Sequence, residues 1–176
     1  MTSFLAITGG ILGGTPVWVW GLLALLTWLG SLSLRQRSVP LRRIAVAPAV
    51  FIIWGLSGLA GRPFDAATIA VLWLGGLAGG GLAGLATGPR ILSADPVARR
   101  ITLPASGWPL ARNLIFFFAH YVLNVLAAIQ PAHKAALMQA TIAVSGASAG
   151  YFIGWSLALW RRYRAAPDEP VTAAAL

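Results

Sequence analysis

Asn113, His120 and Asn124 stand seven and four residues apart in an otherwise apolar stretch. At 3.6 residues per turn that spacing puts all three on one face of a helix, together with Phe116 and Phe117. An intramembrane polar or ionisable group is a candidate for solute passage, proton relay or ligand binding, and this face would offer polar groups at three depths. A second candidate is Ser148, because Gly146-Ala147-Ser148-Ala149-Gly150 has the G-x-S-x-G pattern of a serine nucleophile. On an antiparallel neighbouring helix Ser148 would lie at the depth of His120, forming a dyad with Asn124 as an oxyanion donor. The competing expectation for this polar face is plain hydrogen bonding between helices, Ser148 to His120 included, at about 0.6 kcal/mol per bond. The catalytic signal is weak, since a nucleophile elbow joins a strand to a helix and this pattern falls inside one.

Other chemistry is narrowed by what the chain lacks. It has no cysteine, which removes disulfides, thiolate metal sites and thiol nucleophiles. His133 is thirteen residues from His120, roughly 20 Å along a helix axis, so a bis-histidine haem site would need His120 from each half of a symmetric dimer. Asp65 and Asp95 flank opposite ends of one apolar run, leaving no carboxylate at mid-depth for ion coupling or aspartyl proteolysis. Phosphate loops and zinc motifs are absent from the sequence. No catalytic residue, metal or cofactor is therefore expected.

The elements that must carry these residues follow from composition. Of 176 residues 58% are hydrophobic and 10% charged, with a mean hydropathy of +0.78, which excludes an ordinary soluble domain. A crossing needs about 20 apolar residues, and the sequence predicts an all-α membrane protein with a bundle of five transmembrane helices. Their expected ranges are about 16–34, 44–60, 66–88, 109–130 and 136–160, within one domain over 1–164 and followed by a disordered tail over 165–176. Thr15 is a candidate cap before Pro16, with Trp18 and Trp20 at interfacial depth. Met1 to Gly14 lacks a basic n-region and a cleavage site, and reads as an interfacial segment rather than a signal peptide.

Orientation comes from the basic residues. Eleven of the thirteen fall after the first span, between or beside the third and fourth, or after the fifth; only Arg62 and Lys134 fall on the other side. The positive-inside rule then puts the N-terminus outside and the C-terminus in the cytoplasm. The formal charge of +9 is accounted for by anionic lipid rather than nucleic acid, so the bilayer is the expected partner. Between the third and fourth helices, residues 90–104 read as a short cytoplasmic β-hairpin turning at Asp95-Pro96, with Ile91 and Leu92 meeting Ile101 and Leu103.

Glycines recur every four residues at Gly76, Gly80, Gly84 and Gly88, and again at Gly146, Gly150 and Gly154. Such stripes let helix backbones approach closely in lipid, either inside one bundle or between subunits, and they place the third helix centrally. Thr15-Pro16-Val17-Trp18-Val19-Trp20-Gly21-Leu22-Leu23, Arg35-Gln36-Arg37, Asp95-Pro96 with Arg99-Arg100 and Leu103-Pro104, and Trp108-Pro109-Leu110 resemble a bacterial inner-membrane family known only as a domain of unknown function. The resemblance implies a multi-pass inner-membrane protein and brings no substrate, cofactor or catalytic residue. The leading expectation is a non-enzymatic protein acting through packing with a second copy or a membrane partner. A small-solute channel, carrier or carrier subunit using the Asn113, His120, Asn124 face is the alternative, and a Ser148/His120 hydrolase the third reading.

Overall fold

The computed structural model describes residues 13–42, 61–95 and 98–165, with single positions at 49, 52, 53, 56 and 59. Most of the span expected over about 44–60, the leader over 1–14 except its last two residues, and the tail over 165–176 except Ala165 lie outside the described residues. Four helices are described: α1 (Val17–Ser31), α2 (Ala66–Ala86), α3 (Trp108–Ile129) and α4 (Lys134–Ala165). They correspond to the first, third, fourth and fifth expected spans. Together with the 3₁₀ turns Leu32–Leu34 and Pro131–His133 that extend α1 and α4, all four are long and apolar enough to cross a membrane. Val17, Val71 and Leu82 leave 85%, 71% and 69% of their surface exposed. Side chains of this type so widely exposed suit contact with lipid tails.

Local chemistry sets the helix ends. The Asp65 carboxylate caps α2, accepting from the Thr68 N–H at 2.9 Å and from the Thr68 hydroxyl at 2.6 Å. These bonds favour the charged form and hold the Asp65 carboxyl below its ordinary value. At α1 the cap position belongs to Pro16 rather than Thr15, whose hydroxyl instead shares a 2.8 Å hydrogen bond with the Tyr121 hydroxyl of α3. The far end of α2 is closed by Arg162, whose Nη1 donates to the carbonyls of Gly88 at 2.7 Å and Pro89 at 2.5 Å.

Helix α4 is the centre of the bundle. Eleven of its residues are buried, against two of α2, so the third expected span is not the central one. Helix α4 packs against both α2 and α3, whereas α2 uses Gly76, Gly80 and Gly84 on α4 and leaves Gly75 and Gly79 with open space around them. The two glycine stripes meet each other. A Cβ built on Gly80 would collide with the Ala147 backbone, one on Gly84 with Tyr151 and Trp155, and one on Gly150 with Leu77. Positions on α2 and α4 rise together along the contact, so the helices run parallel. Helix α3 is antiparallel to both α4 and α1; Gly30 of α1 lies against Leu110, where an added Cβ would come within 2.7 Å of the Leu110 Cα.

Outside the bundle is a three-stranded antiparallel sheet in the order β1 (Arg37–Pro40), β3 (Arg100–Leu103), β2 (Ser93–Asp95). Two features differ from the hairpin read in the sequence. β2 starts later, so Ala94 is the residue in register with Ile101, while Ile91 packs against the Ile101 and Leu103 cluster as expected. β1 occupies the other edge of β3, pairing Val39 with Ile101 and satisfying backbone groups that a lone hairpin would leave open. Ile101 and Leu103 share one face of β3 and bury against Leu159 of α4, with Trp155 and Tyr163 beside them. At 1.5 Å per residue the 32 residues of α4 span about 48 Å, more than the hydrocarbon needs, and the sheet packs on its last turns.

Candidate functional site

The face with chemistry on α3 is built by spacing alone. Asn113, Phe116, His120, Asn124 and Ala128 follow one another at three- and four-residue steps, with Phe117 and Tyr121 in the adjoining row. They form one wall of a cavity of about 800 Å³ between α1, α3 and α4. The facing wall comes from α4 through Thr141, Ser145, Ser148 and Phe152, again at four- and three-residue steps. Trp18, Leu22 and Leu26 of α1 close the third side, and Arg62 reaches it from the segment before α2. All four residues of the polar face read in the sequence, Asn113, His120, Asn124 and Ser148, line this cavity. From Asn113 to Ala128 it follows α3 for about 22 Å, most of a hydrocarbon layer.

Several of its polar groups bond to their own helix. The Ser148 hydroxyl donates to the Ser145 carbonyl at 2.9 Å, the Thr141 hydroxyl to the Leu137 carbonyl at 2.9 Å, and the Asn124 amide to the His120 carbonyl at 2.7 Å. Each such bond uses a donor and leaves the oxygen able to accept, so this wall is biased towards acceptors. The same bonds weigh against hydrolysis. The hydroxyl proton of Ser148 is directed to its own backbone rather than to a base, and Ser148 sits in continuous helix with no elbow.

Sequence reasoning missed three contributors. Thr141 and Ser145 lie seven and three residues before Ser148 and would have been found by extending its face backwards. The Thr15–Tyr121 bond, at the end of the cavity away from the sheet, pairs residues far apart in the chain and has no local signal. The third, beside the cavity and not among the residues that line it, is Arg112, which the sequence offers as one more topology signal. Its guanidinium carbon lies 4.5 Å from the Trp155 ring centre, 4.8 Å from Phe152 and 5.7 Å from Tyr151. Its Nε and Nη1 are sealed from solvent and have no hydrogen-bond partner. The Tyr151 hydroxyl, which also interacts with this guanidinium, bonds to Trp108 Nε1 and to the Thr87 hydroxyl, both at 2.6 Å.

Magnitudes show that Arg112 is not simply satisfied. A desolvated cation–π contact is worth about 2 kcal/mol. The rings stabilise charge through their faces but do not accept the remaining N–H groups, and each unmade buried bond costs about 1–3 kcal/mol, more for a charged group. The two described carboxylates are engaged elsewhere: Asp65 caps α2 and Asp95 accepts from the Ala98 N–H at 2.8 Å. Among the described residues Arg112 therefore has Tyr151 and the ring faces, and no carboxylate, beside it. No curated protein and no solved structure matches the chain. Residues 4–168 match one family model, and the chain therefore belongs to the family of unknown function DUF6622.

Proposed function

We propose that this is a non-enzymatic, multi-pass protein of the bacterial inner membrane that binds a small amphipathic molecule in the cavity between α1, α3 and α4. The observation that carries the reading is the cavity itself: about 800 Å³, apolar for most of its wall, with Asn113, His120, Asn124 and Ser148 at successive depths. Ligand sites have this size and this mixture of apolar lining with a few placed polar groups. Because the glycine stripes are spent on each other inside one chain, they offer no free surface to a partner, which favours the binding reading over association through glycine packing.

A fifth crossing over about 44–60 belongs to the same proposal. It is supported by the directions of the described helices. α1 and α2 run the same way, so α1 ends where the sheet lies and α2 begins at the opposite end. The chain between Pro40 and Asp65 must return across the bundle. With the basic clusters of β1, β3 and the end of α4 gathered around one sheet, the positive-inside rule supports a cytoplasmic sheet and C-terminus.

Native mass spectrometry of protein released from lipid nanodiscs tests the reading. Wild type should carry a reproducible extra mass of lipid size, and Ala128→Trp, which places a bulky ring on the cavity wall, should lose it while melting normally. A bare wild-type chain, or an adduct unchanged by Ala128→Trp, refutes the cavity as a binding site.

A further inference from the structure

The two ends of the cavity differ in chemistry. Asn124 lies five residues before the end of α3 and Thr141 seven after the start of α4, so both stand about 8–10 Å from the turn that joins these helices, on facing walls. Tyr121, bonded to Thr15, belongs to the same end. Towards the sheet the wall becomes apolar, with Phe116 and Phe152 meeting at 6.1 Å and Asn113 one turn beyond them. At the end nearest the turn, donors are spent locally. The Thr141 hydroxyl gives its one proton to the Leu137 carbonyl, and the Asn124 amide gives one of its two to the His120 carbonyl. What remains is the lone pairs of Thr141 Oγ1, the Asn124 side-chain oxygen and one N–H. Thr141 is only 5% exposed and lines the cavity, so its lone pairs are left to whatever fills that space.

A hydroxyl group is the complement of that set, because it donates one hydrogen bond and accepts others. A phosphate or carboxylate would bring lone pairs against lone pairs, and Arg62, which also reaches the cavity, already has an interaction of its own. An ammonium head would find no counter-charge: among the described residues no carboxylate lines the cavity, since Asp65 caps α2 and Asp95 lies in the sheet. We propose that the cavity's ligand is an uncharged amphiphile whose hydroxyl-bearing head is held at Thr141 and Asn124, with its apolar chain running along α3 towards Phe116 and Phe152. This rests on the binding reading of the cavity and adds the ligand's class and its direction. A site whose buried acceptors are met by a ligand O–H discriminates against the analogue that lacks the proton, because those acceptors are then left unpaired.

The experiment uses full-length protein in phosphatidylcholine nanodiscs loaded with equal amounts of monooleoylglycerol and its dimethyl ether, read by native mass spectrometry. Capping both hydroxyls removes the donors and leaves every oxygen able to accept. Wild type should retain monooleoylglycerol over the ether by about tenfold, the size of effect of one buried hydrogen bond left unmade. Thr141→Val combined with Asn124→Leu should keep an adduct and lose the preference, whereas Ser148→Ala and Asn113→Leu should each leave it intact. A wild type that carries phosphatidylcholine alone, or holds the two glycerides alike, overturns this inference and leaves the cavity reading standing; a wild type without any adduct overturns both. A preference that survives Thr141→Val with Asn124→Leu, or that falls with Ser148→Ala or Asn113→Leu, also overturns the inference, because the head is then held elsewhere. In a second competition monooleoylglycerol should displace oleoyl phosphate, and stronger retention of the phosphate overturns the uncharged head. If the double variant does not fold, the wild-type glyceride pair and the phosphate competition decide alone.

Discussion

Replacing Gly80 by alanine adds one methyl group where α2 meets α4 backbone to backbone. The new Cβ would lie 2.7 Å from the Ala147 carbonyl carbon and 2.8 Å from its Cα, with the carbonyl oxygen closer still. Main-chain atoms of a helix have no rotamer with which to yield, so the helices must part. Reaching ordinary contact from 2.7 Å takes at least about 0.7 Å. A gap of that size forfeits a quarter to a half of each pairwise attraction it opens, and overpacking of this kind costs about 1–3 kcal/mol. Gly79 is the internal control. It is one residue away on the same helix, a Cβ there meets nothing within 4 Å, and alanine should be neutral or stabilise by up to about 0.8 kcal/mol through helix propensity. Unfolding of both variants by sodium dodecyl sulfate in mixed micelles, followed by circular dichroism, measures the difference directly. If Gly80→Ala and Gly79→Ala agree to within about 0.5 kcal/mol, the close contact of the two stripes is not what holds α2 to α4.

Tyr151→Phe keeps the ring beneath Arg112 but removes the hydroxyl shared by Thr87 and Trp108, and should cost about 1–3 kcal/mol in the same unfolding assay. Arg162→Gln should loosen the end of α2, about 0.5 kcal/mol by the helix-terminus charge effect, with faster amide exchange around Thr87 and Gly88 and none at Thr68. Asp65 predicts a pH dependence with a definite sign. Its carboxyl is held below the ordinary carboxylate range in the folded chain by the Thr68 hydrogen bonds, so its capping contribution is complete above the free-chain value and is lost as the pH falls through the lowered one. Exchange at Thr68 and Ile69 should speed up on acidification in wild type, and Asp65→Asn should abolish that dependence. Ser148→Ala should leave any esterase background unchanged, because its hydroxyl proton is already bonded to the Ser145 carbonyl; a loss of hydrolysis would revive the dyad.

What could be read from the sequence is what is encoded locally. About 20 apolar residues in a row reveal α1, α2, α3 and α4, and three- and four-residue spacing puts Asn113, His120 and Asn124 on one face. The strand β1 is different in kind. Arg37-Ser38-Val39-Pro40 carries a charge and a proline in four residues, and it becomes a strand only because β3, far along the chain, needs a partner on that edge. The overrun of α4 to Ala165 was hidden because Arg161, Arg162 and Arg164 look like the end of a span, whereas they ride on a helix that continues under the sheet. Arg112 is the plainest case. Counted with its neighbours it is one basic residue beside a membrane span, and only the tertiary approach of Tyr151, Phe152 and Trp155 makes it a half-buried cation stacked on rings.

The glycine contact between α2 and α4 repeats every four residues, and a repeating track has no unique alignment. Sliding one helix by a repeat, about 6 Å, would again set glycines against small residues. The track works like a ruler without a zero. The zero is supplied where the sheet lies, by the Thr87–Tyr151–Trp108 bonds, by Arg162 on the Gly88 and Pro89 carbonyls, and by Leu159 beneath Ile101 and Leu103. Each of these is a single fit that a shifted helix would miss. The depth at which Ser148 comes level with α3, and with it the length of the chamber, is therefore fixed by groups gathered at one end of the bundle. A partner that pressed on the sheet would be holding the index mark for every layer above it.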